Sequence, residues 1–289
     1  LLTTCGLQNV GSPCEDEGQP YGLHGGYSAT PAVEVSTQAE WRGERYVLTI
    51  KGKVREVTAL GFFGPQLVLQ RTIASELGAN RITISDEVTN EGFSDSQFML
   101  LYHINAGFPV VEEGTRLLSP TISIEPRDAE ARKGLEGHRT FEGPTSGYSE
   151  QVFFHKMRPD AQGVVKTALV PPQRPGVERV GLCVSYLAAE LPEFIEWKMV
   201  GEGSYVVGLE PANCLVRGRK AERERGTLQT IKPGQTRRLL VELSVLTGEE
   251  EGEVADRALE EGAQDFLEKG QLEPRSLGRA IRHAVDRGR

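Results

Sequence analysis

The chain has 289 residues, of which 38% are hydrophobic and 26% are charged, a composition typical of a globular protein. Its net charge of −8 and pI of about 5.4 argue against nucleic-acid binding, which needs a basic surface. No apolar run approaches the roughly 20 residues that a transmembrane helix needs, so we expect no association with a membrane. The length suits one large all-β domain or two ordinary domains.

The start of the chain and its cysteines bear on the compartment in which the protein works. The first residues, Leu1 to Cys5, lack a Met and are too short and too polar for a signal peptide. They are typical of the interior of a strand, so we expect natural N-terminal sequence to be missing before them. Four scattered cysteines without a CxxC pair argue against a zinc ribbon. Such a distribution predicts free thiols and a cytoplasmic location.

Strand patterns dominate the first half of the chain. Polar and apolar residues alternate over Arg45–Val54, Gln66–Ile73 and Asn80–Val88. A period of two places one face of each strand on a core and the other in solvent. The intervening Gly and Asn residues, as in Leu77–Asn80, suit hairpin turns.

The second half continues with strands and then changes character. We predict strands over Val164–Val170, Val180–Tyr186, Tyr205–Leu209 and Arg238–Leu246. Two segments after residue 250 have the composition of amphipathic helices, Glu253–Lys269 and Ser276–Arg287. Many strands with few helices predict an all-β sandwich or barrel. We therefore expect one β domain over residues 1–247 and a short helical C-terminal tail over residues 248–289.

Three segments that are far apart in the sequence together supply two histidines and a carboxylate. They are Leu23–Gly26 (LHGG), the stretch from Val88 to Asn105 (VTNEG running on to YHIN), and Gly208–Pro211 (GLEP). In this order they resemble the catalytic signatures of the aldose 1-epimerases, the galactose mutarotase family. The resemblance covers roughly residues 1–247 and implies a galactose mutarotase-like β-supersandwich. It also implies a carbohydrate-active isomerase that interconverts sugar anomers without a cofactor.

Mutarotation requires a base and an acid on either side of the sugar. The base removes the proton of the anomeric hydroxyl, while the acid protonates the ring oxygen, so that the ring opens. After the aldehyde end rotates, the ring closes on its other face. A histidine and a carboxylate in a partly buried cleft have pKa values that can be adjusted for this task near neutrality.

The resemblance assigns the acid to His103. The family pattern at this place is Asn-His-x-Tyr-Phe-Asn-Leu, whereas this chain has Tyr102 before the histidine and Asn105 two residues after it. These departures indicate a divergent subgroup similar to DUF4432 and affect the substrate more than the chemistry. We expect Tyr102 and Asn105 to contact the substrate; a structural histidine on a buried strand is the alternative for His103.

The resemblance gives roles to one residue in each of the other two segments. His24 lies in the Leu-His-Gly-Gly setting where the family has a histidine that hydrogen-bonds the sugar. Gly25 and Gly26 allow the backbone to approach a ligand closely. Glu210 is implied as the base at the end of a strand, where Pro211 would stop the strand. A turn histidine on the surface and an edge glutamate are the structural alternatives.

Four further residues are candidates for binding the sugar. Glu150 and His155 flank a short apolar run, and relatives in the family place an acidic residue near there that binds hydroxyl groups. Trp197 could stack on the apolar face of a sugar ring. Asn9 lies in a segment that is faintly similar to a sugar-binding segment of the family. A purely structural role is an equal alternative for Glu150, His155 and Trp197.

Two other classes of function remain open at this point. A metal-dependent sugar isomerase or lyase could use His24, His103, His155 and Glu210, which are all metal-ligand types. Asn105 stands where a His-x-His pair would need its second histidine, so we expect no metal at these residues. A non-catalytic carbohydrate-binding protein is the second alternative. In each case the partner is a monosaccharide or a sugar derivative, and a homodimer is possible.

Overall fold

The computed structural model describes residues 1–56 and 64–247, and strands make up most of this part of the chain. The described residues contain two short α-helices, α1 (Ala129–Lys133) and α2 (Arg219–Arg225). The strands are β1 (Leu2–Leu7), β2 (Cys14–Asp16), β3 (Gln19–Tyr21), β4 (Val33–Arg42), β5 (Arg45–Arg55), β6 (Leu67–Glu76), β7 (Arg81–Asn90), β8 (Ser96–Ala106), β9 (Arg116–Leu118), β10 (Thr121–Pro126), β11 (Gln151–Met157), β12 (Val164–Val170), β13 (Val180–Leu187), β14 (Glu193–Gly201), β15 (Ser204–Ala212), β16 (Gln229–Ile231) and β17 (Thr236–Thr247).

The strands form two large antiparallel sheets and one small hairpin. The first sheet has seven strands in the order β1-β8-β15-β14-β11-β10, with β16 paired to β8 outside this path. The second has eight strands in the order β4-β5-β6-β7-β17-β13-β12-β9, while β2 and β3 form the hairpin. This architecture confirms the prediction of a β-sandwich.

The strand predictions agree closely with the observed elements. The segment Val164–Val170 coincides with β12, and the other predicted strands match β5, β6, β7, β13, β15 and β17 to within a few residues at their ends. Period-two alternation succeeds here because each of these strands has one face on the core. The two predicted C-terminal helices lie outside the described residues.

The main core lies between the two sheets. Alternate residues of β8 contribute to it, namely Phe98, Leu100, Tyr102 and Ile104, and they meet residues such as Leu69, Val184 and Val241 of the second sheet. Each of these side chains is at most 5% exposed. Burial of this much apolar surface is the principal force that holds the sheets together.

The other face of the first sheet carries a smaller apolar cluster and, beside it, the candidate site. Met99 and Leu101 of β8 belong to this cluster together with Ile195 and Ala212. His103 and Asn105 continue the same face of β8 and are only partly buried. The sheet therefore separates an apolar interior from a partly open polar surface, which we call the site face.

The cysteines are thiols without disulfide partners in the part of the chain that the structure describes. All four cysteines are free, and Cys5, Cys183 and Cys214 are buried, as predicted. In the part of the chain that the structure describes, no helix has the length and apolar character of a membrane span.

Candidate active site

His103 and Glu210 meet on the site face because β8 and β15 pair in one continuous register. Leu209 lies opposite Ile104 and Ala212 lies opposite Leu101, so the register between them places Glu210 beside His103. Nε2 of His103 and Oε1 of Glu210 are 3.1 Å apart. These two atoms do not form a hydrogen bond. Glu210 Oε1 has no hydrogen-bond partner among the described residues, and neither has Nδ1, the other ring nitrogen of His103.

His24 reaches the same place from a tight turn. Its backbone has a φ of 58°, a left-handed conformation that is uncommon outside glycine. The Gly11 N–H donates to His24 Nδ1 at 3.2 Å, so the neutral ring carries its proton on Nε2 and can donate from there. The rings of His24 and His103 are 6.0 Å apart between centroids, in an edge-to-face arrangement.

The turn around His24 has no room for a side chain at the next position. A Cβ atom on Gly25 would lie 2.3 Å from the Gly6 carbonyl oxygen and 2.8 Å from that of Asn9. Buried Glu56 accepts hydrogen bonds from the N–H groups of Gly26 and Leu7. These contacts tie the turn to β1 and fix the position from which His24 extends.

Gly208 makes room for the Glu210 carboxylate. In the sheet it lies between Trp197 of β14 and Asn105 of β8. A Cβ atom at this position would be 2.6 Å from Glu210 Oε1 and 3.2 Å from His103 Cε1. Gly208 belongs to the GLEP segment, but its role cannot be inferred from that motif, since only the pairing of three strands reveals the space that it leaves open.

Trp197, Glu150 and Arg127 extend the site beyond the His103–Glu210 pair. The Trp197 ring lies 5.2 Å from the His103 ring, and its Nε1 donates to Glu150 Oε2 at 2.8 Å. Arg127 Nη2 donates to the other oxygen of Glu150 at 2.9 Å. No sequence motif surrounds Arg127, which joins the site only through the loop between β10 and β11. The arrangement supplies an aromatic face beside a charged, hydrogen-bonding rim.

Burial adjusts the two central pKa values in opposite directions. Burial, aided by the negative charge of Glu150, raises the pKa of Glu210 to about 8. Burial and the neighbouring His24 lower the pKa of His103 to about 4. Burial also lowers the pKa of His24. Between about pH 4 and about pH 8 the His103–Glu210 pair holds one proton in total. Because the two groups interact, each of the two pKa values describes the pair and not a single residue.

Asn105 belongs to the site face, whereas Tyr102 does not. Asn105 follows His103 by two residues on the same side of β8 and is partly buried. Tyr102 is fully buried in the core, where its hydroxyl donates to Asp86 Oδ2 at 2.8 Å. The expectation that Tyr102 contacts substrate is therefore corrected, because strand alternation turns it to the opposite face of β8 from His103.

Asn9 organises the chain near the site without facing it. It is fully buried, and its Nδ2 donates to the carbonyl oxygens of Gly22 and Ser12. Its Oδ1 accepts from the Arg219 N–H at 2.8 Å. These bonds use its polar atoms within the protein, so the expected substrate contact is corrected to a role in holding the segment that leads to His24.

His155 lies on the core side of the first sheet. It is 2% exposed, and its Nε2 is 3.1 Å from Glu196 Oε2. The expected contact with substrate is corrected, because β11 turns His155 away from the site face. The four-residue metal set considered from the sequence also does not come together, since His155 lies across the sheet from His24, His103 and Glu210.

The fold places the chain among proteins with the galactose mutarotase-like sandwich, and comparisons with solved structures agree with this class. A crystal structure from Klebsiella pneumoniae subsp. pneumoniae MGH 78578, provisionally named an aldose 1-epimerase, is 26% identical with a TM-score of 0.81. The match covers 94% of this chain and 68% of that one. A galactose mutarotase-like protein from Clostridium acetobutylicum is 12% identical with a TM-score of 0.56, covering 86% and 79%. A provisionally named aldose 1-epimerase from Escherichia coli K12 is 14% identical with a TM-score of 0.50, covering 85% and 83%.

A sequence-family model gives the finer assignment. The model of DUF4432, a domain of unknown function, matches residues 1–245, and the chain belongs to this family. A search of curated proteins finds no match.

Proposed function

We propose that this protein is a carbohydrate-active isomerase that interconverts the anomers of an aldose or a sugar derivative by acid/base catalysis. The observation that carries the proposal is the His103–Glu210 contact, a histidine and a carboxylate 3.1 Å apart with unpartnered polar atoms. A purely structural pair would be expected to close this contact as a hydrogen bond, since unsatisfied buried polar groups cost free energy.

The two groups divide the proton transfers of ring opening. Glu210 takes the proton from the anomeric hydroxyl while His103 gives one to the ring oxygen, and the C1–O5 bond breaks as the aldehyde forms. Rotation of the aldehyde end and the reverse transfers close the ring on its other face. The sugar gains and loses one proton overall, so the pair returns to its starting state without a co-reactant.

Ring opening needs one proton donor and one proton acceptor, and a His103–Glu210 pair that shares a single proton supplies both. With the pKa of Glu210 raised and that of His103 lowered, burial places this proton on Glu210 in the free site. His103 is the donor in the arrangement in which the same proton lies on its Nε2, 3.1 Å from Glu210 Oε1. The catalytic form is thus one of two arrangements of the same pair.

The surrounding residues suit a sugar. The Nε2–H of His24 can donate a hydrogen bond to a sugar hydroxyl next to His103. Trp197 offers an aromatic face to the apolar side of a pyranose. Arg127 and Glu150 present a donor and an acceptor to hydroxyl groups at the rim. Asn105 adds an amide on the same face of β8 as His103.

Anomeric exchange measured by NMR tests the proposal directly. Purified protein is added to equilibrated aldoses, deoxy sugars and sugar acids, and two-dimensional exchange spectroscopy gives the interconversion rate of each α and β pair. We expect at least one sugar to exchange much faster than it does without protein. Sugar binding without accelerated exchange across the panel would contradict the proposal and favour a non-catalytic carbohydrate-binding protein.

A further inference from the structure

A second cluster of titratable side chains lies behind the candidate active site, on the core side of the first sheet. It consists of His138, His155 and Glu196, each at most 7% exposed. His155 and Glu196 come from the paired strands β11 and β14, and His138 comes from the loop that follows α1. The function proposed above uses none of the three.

The three side chains direct their ligand atoms at one point. His138 Nδ1 is 3.0 Å and His155 Nε2 is 3.1 Å from Glu196 Oε2. One ligand atom from each residue lies within 4.8 Å of the other two. A tetrahedral zinc ion bound at about 2.0–2.1 Å holds its ligands roughly 3.4 Å apart, so modest side-chain movement converts this cluster into a metal site.

The charge of the cluster also fits a cation. Glu196 is fully buried, and its Oε1 has no hydrogen-bond partner among the described residues. Lys198, two residues along on the same face of β14, forms its ion pair with Glu142. A buried carboxylate of this kind is stabilised by a paired or coordinated cation.

The surroundings have the features that support metal ligands in proteins. Thr121 Oγ1 lies 2.9 Å from His155 Nδ1, which leaves Nε2 turned towards Glu196. Such a hydrogen bond to the second ring nitrogen orients a ligating histidine. Phe153 packs beside His138 and Phe194 beside His155, so the cluster has an apolar wall.

We propose that His138, His155 and Glu196 form a buried binding site for a divalent transition-metal ion, with zinc as the ion that two imidazoles and a carboxylate favour. The ion ties the loop between β10 and β11 to the first sheet. Arg127 begins this loop and Glu150 ends it, so the ion also steadies the rim of the candidate active site. The proposal is independent of the catalytic function assigned above.

Metal analysis of the full chain tests this site. Protein expressed without a histidine tag in zinc-supplemented medium is dialysed against metal-free buffer and analysed by mass spectrometry for zinc, iron, manganese, nickel and cobalt. We expect stoichiometric zinc. After removal of the metal with a strong chelator, the melting temperature should fall, and it should recover when zinc is returned. Cobalt in place of zinc should give visible absorption bands typical of low coordination number.

Variants locate the ion. His138→Asn and Glu196→Gln each remove a ligand and should abolish stoichiometric binding. Thr121→Val keeps the fold and all three ligands but removes the bond to His155, so zinc should bind about 10–100-fold more weakly. Glu130→Gln, at an exposed carboxylate outside the cluster, is the matched control and should retain full binding.

Three outcomes would overturn the proposal. The first is wild-type protein that holds no metal and, after chelation, takes up neither zinc nor cobalt in a calorimetric titration. The second is metal binding that is the same in Thr121→Val and His138→Asn as in wild type. The third is a melting temperature that does not respond to chelation or to zinc. Should Glu196→Gln fail to fold, the His138→Asn and Thr121→Val results decide the location.

Discussion

Glu210 and His103 are neighbours on the paired strands β15 and β8, yet Glu210 Oε1 and His103 Nε2, which are 3.1 Å apart, do not form a hydrogen bond. The surrounding residues restrict both side chains. Glu210 is only 2% exposed, and the His103 ring lies between the rings of His24 and Trp197. The pair is thus positioned and still has free polar atoms for a ligand. Its environment determines how activity and stability should respond to mutation and to pH.

Replacing Glu210 with Gln should leave the fold intact and remove the base. We expect anomeric exchange to fall on the order of 100-fold or more, because a positioned general base contributes about 10²–10⁴-fold. The measurement is exchange NMR at saturating sugar, with circular dichroism to confirm folding. Glu130→Gln serves as the control that should keep the wild-type rate. Undiminished exchange in folded Glu210→Gln would exclude Glu210 from the mechanism.

Catalytic activity should follow a bell-shaped dependence on pH. Below about pH 4, His103 and Glu210 are both protonated and the pair has no acceptor. Above about pH 8, Glu210 loses its proton and the pair has no donor. The maximum therefore lies between these limits, and kcat/KM measured from about pH 3.5 to about pH 9.5 in buffers of constant ionic strength checks it. A rate that keeps rising to the alkaline end would contradict this proton count.

Stability should also report the raised pKa of Glu210. The folded protein binds this proton more tightly than the unfolded chain, whose glutamate has a pKa of 4.5. The contribution is complete below pH 4.5, and it is lost as pH rises through about 8, so the free energy of unfolding declines over this window. Glu210→Gln, which stays neutral, should lack that part of the decline. Parallel melting curves of both proteins across the pH range would count against a buried, protonated Glu210.

Gly208→Ala should test the position of the Glu210 carboxylate without changing its chemical identity. The new Cβ atom would lie 2.6 Å from the present position of Glu210 Oε1, so the carboxylate must move. Displacement of a catalytic group by about 1 Å can reduce the rate roughly 100-fold, and we expect a loss of this order in kcat. Gly137→Ala is the matched control, because a Cβ atom there meets nothing within 4 Å. Full kcat in Gly208→Ala would show that the carboxylate does not act from the position beside Gly208.

The sequence predicted the sandwich and the meeting of its three motifs better than it predicted the lining of the site. His103 and Glu210 come together because β8 and β15 pair side by side, and His24 joins them from a turn that is held against β1. The motif similarity fails at Tyr102, because the alternation that places His103 on the site face turns Tyr102 into the core.

The roles of the other residues in and around the site depend on contacts between distant parts of the chain, which no local sequence pattern reveals. Asn9 binds Gly22, Ser12 and Arg219, and this last partner is 210 residues away in the chain. Arg127 becomes part of the site only through Glu150, which lies across a loop. The cluster of His138, His155 and Glu196 likewise has no ligand spacing that a motif search would recognise, because the three residues come from a loop and two strands.

Consecutive residues of β14 line the core on one face of the first sheet and the candidate active site on the other. Glu196 and Lys198 face the interior, while Trp197 between them faces the candidate active site. A deletion or insertion of one residue in this strand would exchange the two sets and present a carboxylate and an ammonium where the indole now lies. Natural length variation among relatives should therefore be confined to the loops at the ends of β14, whereas the strand itself should tolerate only substitutions that keep its frame.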